Sequence, residues 1–86
     1  MPTLSRFFGI VITMNWNDHH PPHFHARYSE NEAVVRLDTL EVEAGHLPRR
    51  VLGLVLEWAA EHRAELWDNW DRVHSSQPIR PIAPLD

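Results

Sequence analysis

Cysteine is absent from the 86 residues, lysine is absent too, and glycine occurs three times. Without cysteine there is no disulfide framework, no thiolate metal centre and no cysteine nucleophile. A glycine-rich phosphate loop, a nucleophile elbow, an H-E-x-x-H helix and a helix-turn-helix pair are all missing. Eight arginines face twelve carboxylates, a formal net charge of −4 with histidine neutral. That balance is the reverse of a nucleic-acid-binding footprint, so RNA is a disfavoured partner. Long apolar runs are missing as well. The longest, 7–12 and 51–56, have six residues each, whereas a membrane span needs about 20. The start carries one basic residue, Arg6, and no signal-type apolar region. The expectation is a cytoplasmic protein with no membrane partner.

What is present is ordinary for a globular chain, with 43% hydrophobic and 23% charged residues. The length implies a single domain over 1–86. A domain of this size buries only about three-fifths of the surface of its unfolded chain, so a partner would help it. Seven histidines are the outlier. Their protonation near pH 6 would bring the chain toward neutrality, making charge and solubility pH-sensitive.

The first half reads as strands. Residues 6–14 are β-branched and aromatic, 22–28 follow a Pro-Pro segment that cannot be helical, and 33–37 alternate. A short fourth strand over 39–43 completes the larger version. Asn15 to Asp18 form a turn signal, and Ser29-Glu30-Asn31 a hairpin turn. After Gly45 the period changes. Val51, Val55, Trp58, Ala59, His62, Leu66, Trp70 and Val73 recur at three- and four-residue steps, which predicts one helix over 48–74. Residues 75–86 form an extended tail, with Pro78, Pro81 and Pro84 between Ile79, Ile82 and Leu85. The predicted architecture is α+β: a three- to four-stranded antiparallel sheet, one long C-terminal helix on one face, and a Pro-rich tail.

One helix covers one sheet face. Alternation puts Phe24, Ala26 and Tyr28 toward the helix and His23, His25 and Arg27 on the open face. Treating 6–14 as one strand adds Phe7 and Val11 to that open face, and the third strand adds Val34. Such an apolar patch marks a protein partner or a second copy, unless the tail covers it. On the helix, Glu57, Glu61, Glu65 and Asp68 form an acidic ridge, either solvated or a docking strip for a basic partner.

Four of the seven histidines fall within Asp18-His19-His20-Pro21-Pro22-His23-Phe24-His25. Three readings compete. As a metal site, His23 and His25 project together from a strand, with Asp18 or His19 closing the site from the turn. Imidazole and carboxylate suit zinc, iron, nickel or copper. As a catalytic site needing no cofactor, His23 and His25 act as general base and acid while Arg27 stabilises negative charge, a constellation suited to metal-free RNA cleavage. In the third reading the segment only shapes the strand entry and an interface. His62, on the helix stripe, reads as a hydrogen-bonded core histidine.

The segments Arg6-Phe7-Phe8-Gly9-Ile10, Asn17-Asp18-His19 and Pro21-Pro22-His23-Phe24-His25-Ala26, followed by Glu32-Ala33-Val34, Glu57-Trp58-Ala59 and Asn69-Trp70, resemble a bacterial domain-of-unknown-function family numbered four-one-six-zero. The likeness begins at Met1-Pro2 and runs to Leu85. It implies one component, toxin-like, of a two-gene toxin–antitoxin module, with a small protein encoded nearby as partner. The family's histidines map onto His19, His23 and His25, while His20 falls at a variable place. Together these readings make the open face the working surface and His23, His25 and Arg27 the candidate endoribonuclease residues. The alternative is a non-enzymatic module, antitoxin or homodimer, with zinc or another transition metal at Asp18, His19, His23 and His25.

Overall fold

The computed structural model describes residues 2–86, and Met1, where the likeness begins, lies outside the described residues. Five strands, β1 (Thr3–Phe7), β2 (Ile10–Thr13), β3 (His23–Tyr28), β4 (Asn31–Arg36) and β5 (Val42–Gly45), precede α1 (Arg49–Glu61) and α2 (Arg63–His74). The sheet is antiparallel throughout, in the order β1-β2-β3-β4-β5. The α+β class and the antiparallel sheet are as expected. The strand number and the single helix are not.

The segment 6–14 is not one strand. It holds the end of β1, a two-residue turn and the whole of β2, the parts of one hairpin. Phe8 and Gly9 both have positive φ, 49° and 77°, the backbone that lets a two-residue turn match the twist of its strands. The turn sets Phe7 opposite Ile10, so both point to the same face. Phe7 is therefore buried against Trp58, with ring centroids 5.4 Å apart, and is not on the open face. Phe8, which a continuous strand would bury, sits on the turn and is 60% exposed.

The fourth strand is displaced from 39–43 to Val42–Gly45. Residues 37–41 turn first, with Leu40 at φ 59° and its N–H on the Arg36 carbonyl. Arg36 donates twice to Asp38, at 2.9 and 2.7 Å. These bonds hold the Asp38 carboxyl below its usual range and raise the arginine above its own. At the end of β5, Gly45 has φ 81°, and a Cβ there would lie 2.1 Å from the Glu32 carbonyl oxygen. Only glycine lets β5 approach β4 so closely.

The helix expected over 48–74 is interrupted at His62, whose φ and ψ are −122° and 28°. Its N–H bonds back three residues to Ala59, and Leu66 N–H restarts the ladder on the His62 carbonyl. No glycine or proline lies there, so local propensity does not encode the break. Tertiary contacts surround it. Trp58 Nε1 donates to the Ala83 carbonyl at 2.8 Å, and Asn69 pairs with the Arg80 backbone at 2.9 and 2.7 Å. The tail thus binds one residue on each side of the junction. His62 itself rests on Trp58 and donates to Glu65 at 2.6 Å, hydrogen-bonded as expected but half-buried at the break and not in the core.

The core lies between the helices and one sheet face. Phe24, Ala26, Ala33, Val35 and Leu37 meet Val51, Val55, Trp58, Leu66, Trp70 and Val73 there. Burying one such large side chain stabilises by about 1.5–3 kcal/mol, so this layer dominates the fold. The tail joins the same core through Ile82 and Leu85, and Ile82 N–H bonds the Leu4 carbonyl beside β1. It therefore leaves the other sheet face open, where Val11 and Val34 are half-buried and Arg6 and Arg27 exposed. The acidic ridge Glu57, Glu61, Glu65 and Asp68 is exposed. Among the described residues no helix is long and apolar enough to cross a membrane.

Candidate metal centre

The long connection 14–22 delivers the site. Prolines 21 and 22 keep the chain out of a helix and lead through a bend into β3, where alternation makes His23 and His25 project from the same face with ring centroids 5.2 Å apart. Their partner comes from the preceding turn. There the Asn15 N–H donates to Asp18 Oδ2 at 3.2 Å, and the Asp18 N–H donates to the Asn15 carbonyl at 3.4 Å. This turn carries the Asp18 carboxylate inward, with Oδ2 3.3 Å from His23 Nε2 and 3.2 Å from His25 Nε2. One ligating atom from each residue lies within 4.8 Å of the others. The three side chains are only 11–15% exposed, so charge acts here with little screening.

The outer nitrogens are already committed. His23 Nδ1 donates to the Pro21 carbonyl at 2.8 Å, and His25 Nδ1 donates to Glu32 Oε2 at 3.1 Å. A carbonyl and a carboxylate only accept, so both neutral rings carry their proton on Nδ1. Both Nε2 lone pairs then face the same Asp18 oxygen. Lone pair against carboxylate is repulsive unless a cation, either a proton or a metal ion, lies between them. The pattern of imidazoles held from behind by a carbonyl and a carboxylate is how proteins orient metal-binding histidines. The donor set, two imidazole nitrogens and a carboxylate oxygen, suits borderline divalent ions such as zinc, iron or nickel.

Several neighbours were not legible as site residues. Glu32 bridges His25 and Arg27, accepting from Arg27 on Oε1 at 3.3 Å. The β3–β4 register pairs Arg27 with Glu32 across a Ser29-Glu30 turn. The three-residue turn expected at Ser29-Glu30-Asn31 shifts that register and hides the contact. His74, at the end of α2, donates from Nε2 to the Asp18 carbonyl at 2.9 Å and from Nδ1 to the Trp70 carbonyl at 2.8 Å. The Asp18 carbonyl, then that of Trp70, raises the His74 pKa above its ordinary value. Trp70 also packs on His23, with centroids 5.5 Å apart. No periodicity links residue 74 to residue 18.

Of the sequence-predicted residues, Asp18, His23 and His25 converge. His19 does not. It is exposed and outside the converging group, because the turn bonds fold Asp18 inward and not its neighbour. Arg27 shares the face but is 56% exposed and held by Glu32, on the Nδ1 side of His25. Val11 and Val34 flank the site on the open face. Phe7 belongs to the core, as described above.

No curated protein and no solved structure matches the chain. The family described as Domain of unknown function (DUF4160) matches residues 9–71, which include every residue of the candidate centre. The chain belongs to the DUF4160 family.

Proposed function

We propose that this protein binds a divalent transition-metal ion at Asp18, His23 and His25. One observation carries the reading: both Nδ1 atoms are engaged by groups that only accept, which turns both Nε2 lone pairs onto one carboxylate oxygen. Three protein ligands leave coordination positions free for water, a substrate or a further donor of the protein. Metal-independent RNA cleavage would place one histidine on each side of a phosphate. Here both Nε2 atoms face the same Asp18 oxygen, and Arg27 is engaged elsewhere. The geometry therefore favours the metal centre. In the two-protein module that the resemblance implies, this centre is the working site of the toxin-like component. The half-buried Val11 and Val34 beside it are where a protein partner or a second copy docks.

The test is native mass spectrometry and thermal melting of chelator-stripped protein with and without Zn²⁺. One ion per chain is expected, with stabilisation approaching about 2.7 kcal/mol when free zinc is 100 times the dissociation constant. The His23→Ala/His25→Ala double variant should keep its far-UV circular dichroism and lose both responses. A stripped wild type that takes up no ion, or a double variant that binds as well, overturns the reading. RNA cleavage that persists in EDTA and disappears in the folded double variant would replace it with the acid/base mechanism.

A further inference from the structure

We infer that Asn15 is the fourth protein ligand of this centre, through its amide oxygen. The inference rests on the metal reading above and extends it. The Asn15 amino group faces two of the ligating residues, with Nδ2 3.3 Å from His25 Nε2 and 3.5 Å from Asp18 Oδ1. The other end of the same amide is in a poor place. Asn15 Oδ1 is buried without any hydrogen-bond partner, a state that native proteins seldom leave unexplained.

A metal ion on His25 Nε2 and Asp18 reverses these preferences. It takes the lone pairs to which the amino group donates, and it sets positive charge in front of an N–H₂ dipole. A half-turn of the amide exchanges its two ends, which have nearly the same shape. The carbonyl lone pairs then point at the cation from where the amino group stood. No backbone movement is required, because the Asn15 N–H is already anchored on Asp18 Oδ2. Asn15 also lines a cleft of about 380 Å³ with Pro2, Trp16, Asn17 and Asp18. The completed set is two imidazole nitrogens and two oxygens. Such a set suits Mn²⁺, Fe²⁺, Co²⁺, Ni²⁺ and Zn²⁺, and disfavours Cu(I), which wants sulfur, and Mg²⁺ or Ca²⁺, which want oxygen alone.

Co²⁺ is the probe, because its visible absorption reports ligand number and symmetry as well as occupancy. Stripped wild type, Asn15→Ala, Asn15→Asp and His25→Ala are titrated with Co²⁺, and folding is checked by circular dichroism. Asn15→Ala should bind 10- to 100-fold more weakly and shift the band positions and intensities. Asn15→Asp, which keeps an oxygen in either orientation and has no amino group, should bind at least as tightly as wild type. If Asn15→Ala fails to fold, the Asp variant decides alone, and weaker binding by it overturns the inference. Unchanged affinity and spectrum in Asn15→Ala, with His25→Ala silent, also overturns it and leaves the three-residue centre standing. A wild type that binds no Co²⁺ removes both.

Discussion

His74 Nε2 donates to the carbonyl oxygen of Asp18 at 2.9 Å, joining the last turn of α2 to a loop 56 residues earlier in the chain. The other ring nitrogen donates to the Trp70 carbonyl. Two acceptors need two protons, so the contact is complete only in the imidazolium form. The folded pKa is accordingly raised, chiefly by the Asp18 carbonyl. A raised pKa stabilises the fold fully below the unfolded value of about 6.5. That contribution is lost as pH rises through the higher folded value. Melting temperatures of metal-free protein should therefore decline between pH 6 and pH 8.5. In His74→Gln that decline should be shallower. Parallel profiles for the two proteins would show that the histidine is not responsible.

Glu32 is the most informative residue outside the ligand set. It accepts the Nδ1 proton of His25 and so turns Nε2 toward Asp18. Glu32→Ala should weaken Zn²⁺ binding about 10- to 100-fold, the usual effect of removing such a support. Glu32→Gln keeps an accepting oxygen and should recover most of the loss. Calorimetric titration measures both. Equal affinities in wild type and Glu32→Ala would show that ring orientation is set by the strand alone.

The two phenylalanines of the first hairpin should respond in opposite ways. Phe7→Ala removes a ring packed on Trp58 and should cost about 3–5 kcal/mol in urea unfolding. Phe8→Asn puts an Asn-Gly pair where positive φ is required at both residues, and should be neutral or stabilising by about 0.5 kcal/mol. A loss at Phe8 comparable to that at Phe7 would mean the exposed ring is covered in solution, by a partner or a second copy.

Trp58 anchors the tail as well as the core. It is fully buried and donates to the Ala83 carbonyl. Trp58→Phe should cost the hydrogen bond, about 1 kcal/mol, plus the smaller ring volume. Amide exchange at Ile82, whose N–H bonds the Leu4 carbonyl, should accelerate in that variant. Unchanged exchange there would show that Ile82 and Leu85 hold the tail without it.

Patterns of short range were readable from residue order. Alternation put Phe24, Ala26 and Tyr28 toward the helix and His23 and His25 together on the other side of the strand; Phe24 and Ala26 are fully buried, Tyr28 is half-buried against the core, and the two imidazoles lie 5.2 Å apart. The helical stripe from Val51 to Val73 was legible for the same reason, since side-chain direction follows the backbone period. The turn at Phe8-Gly9 was not. Phenylalanine rarely occupies a positive-φ position, so a hairpin looked like one strand, and the faces of Phe7 and Phe8 were exchanged. Register has the same weakness, because a one-residue difference at Ser29-Glu30 decides whether Glu32 reaches His25.

Residue types and spacing were enough to bring two histidines and an acidic turn near one another. They did not choose between Asp18 and His19, because a turn is closed by hydrogen bonds whose partners are not periodic. Tertiary packing made that choice: the Asn15 bonds turn Asp18 inward and the His74 strap ties its carbonyl to α2. Packing also divided the helix at His62 and laid the tail over the helices, while Trp70 closed over His23 and left the neighbouring Val11 and Val34 half-buried. Local order repeats along the chain and can be read from it. Contacts between residues as distant as 18 and 74 exist only once the sheet and helices have met.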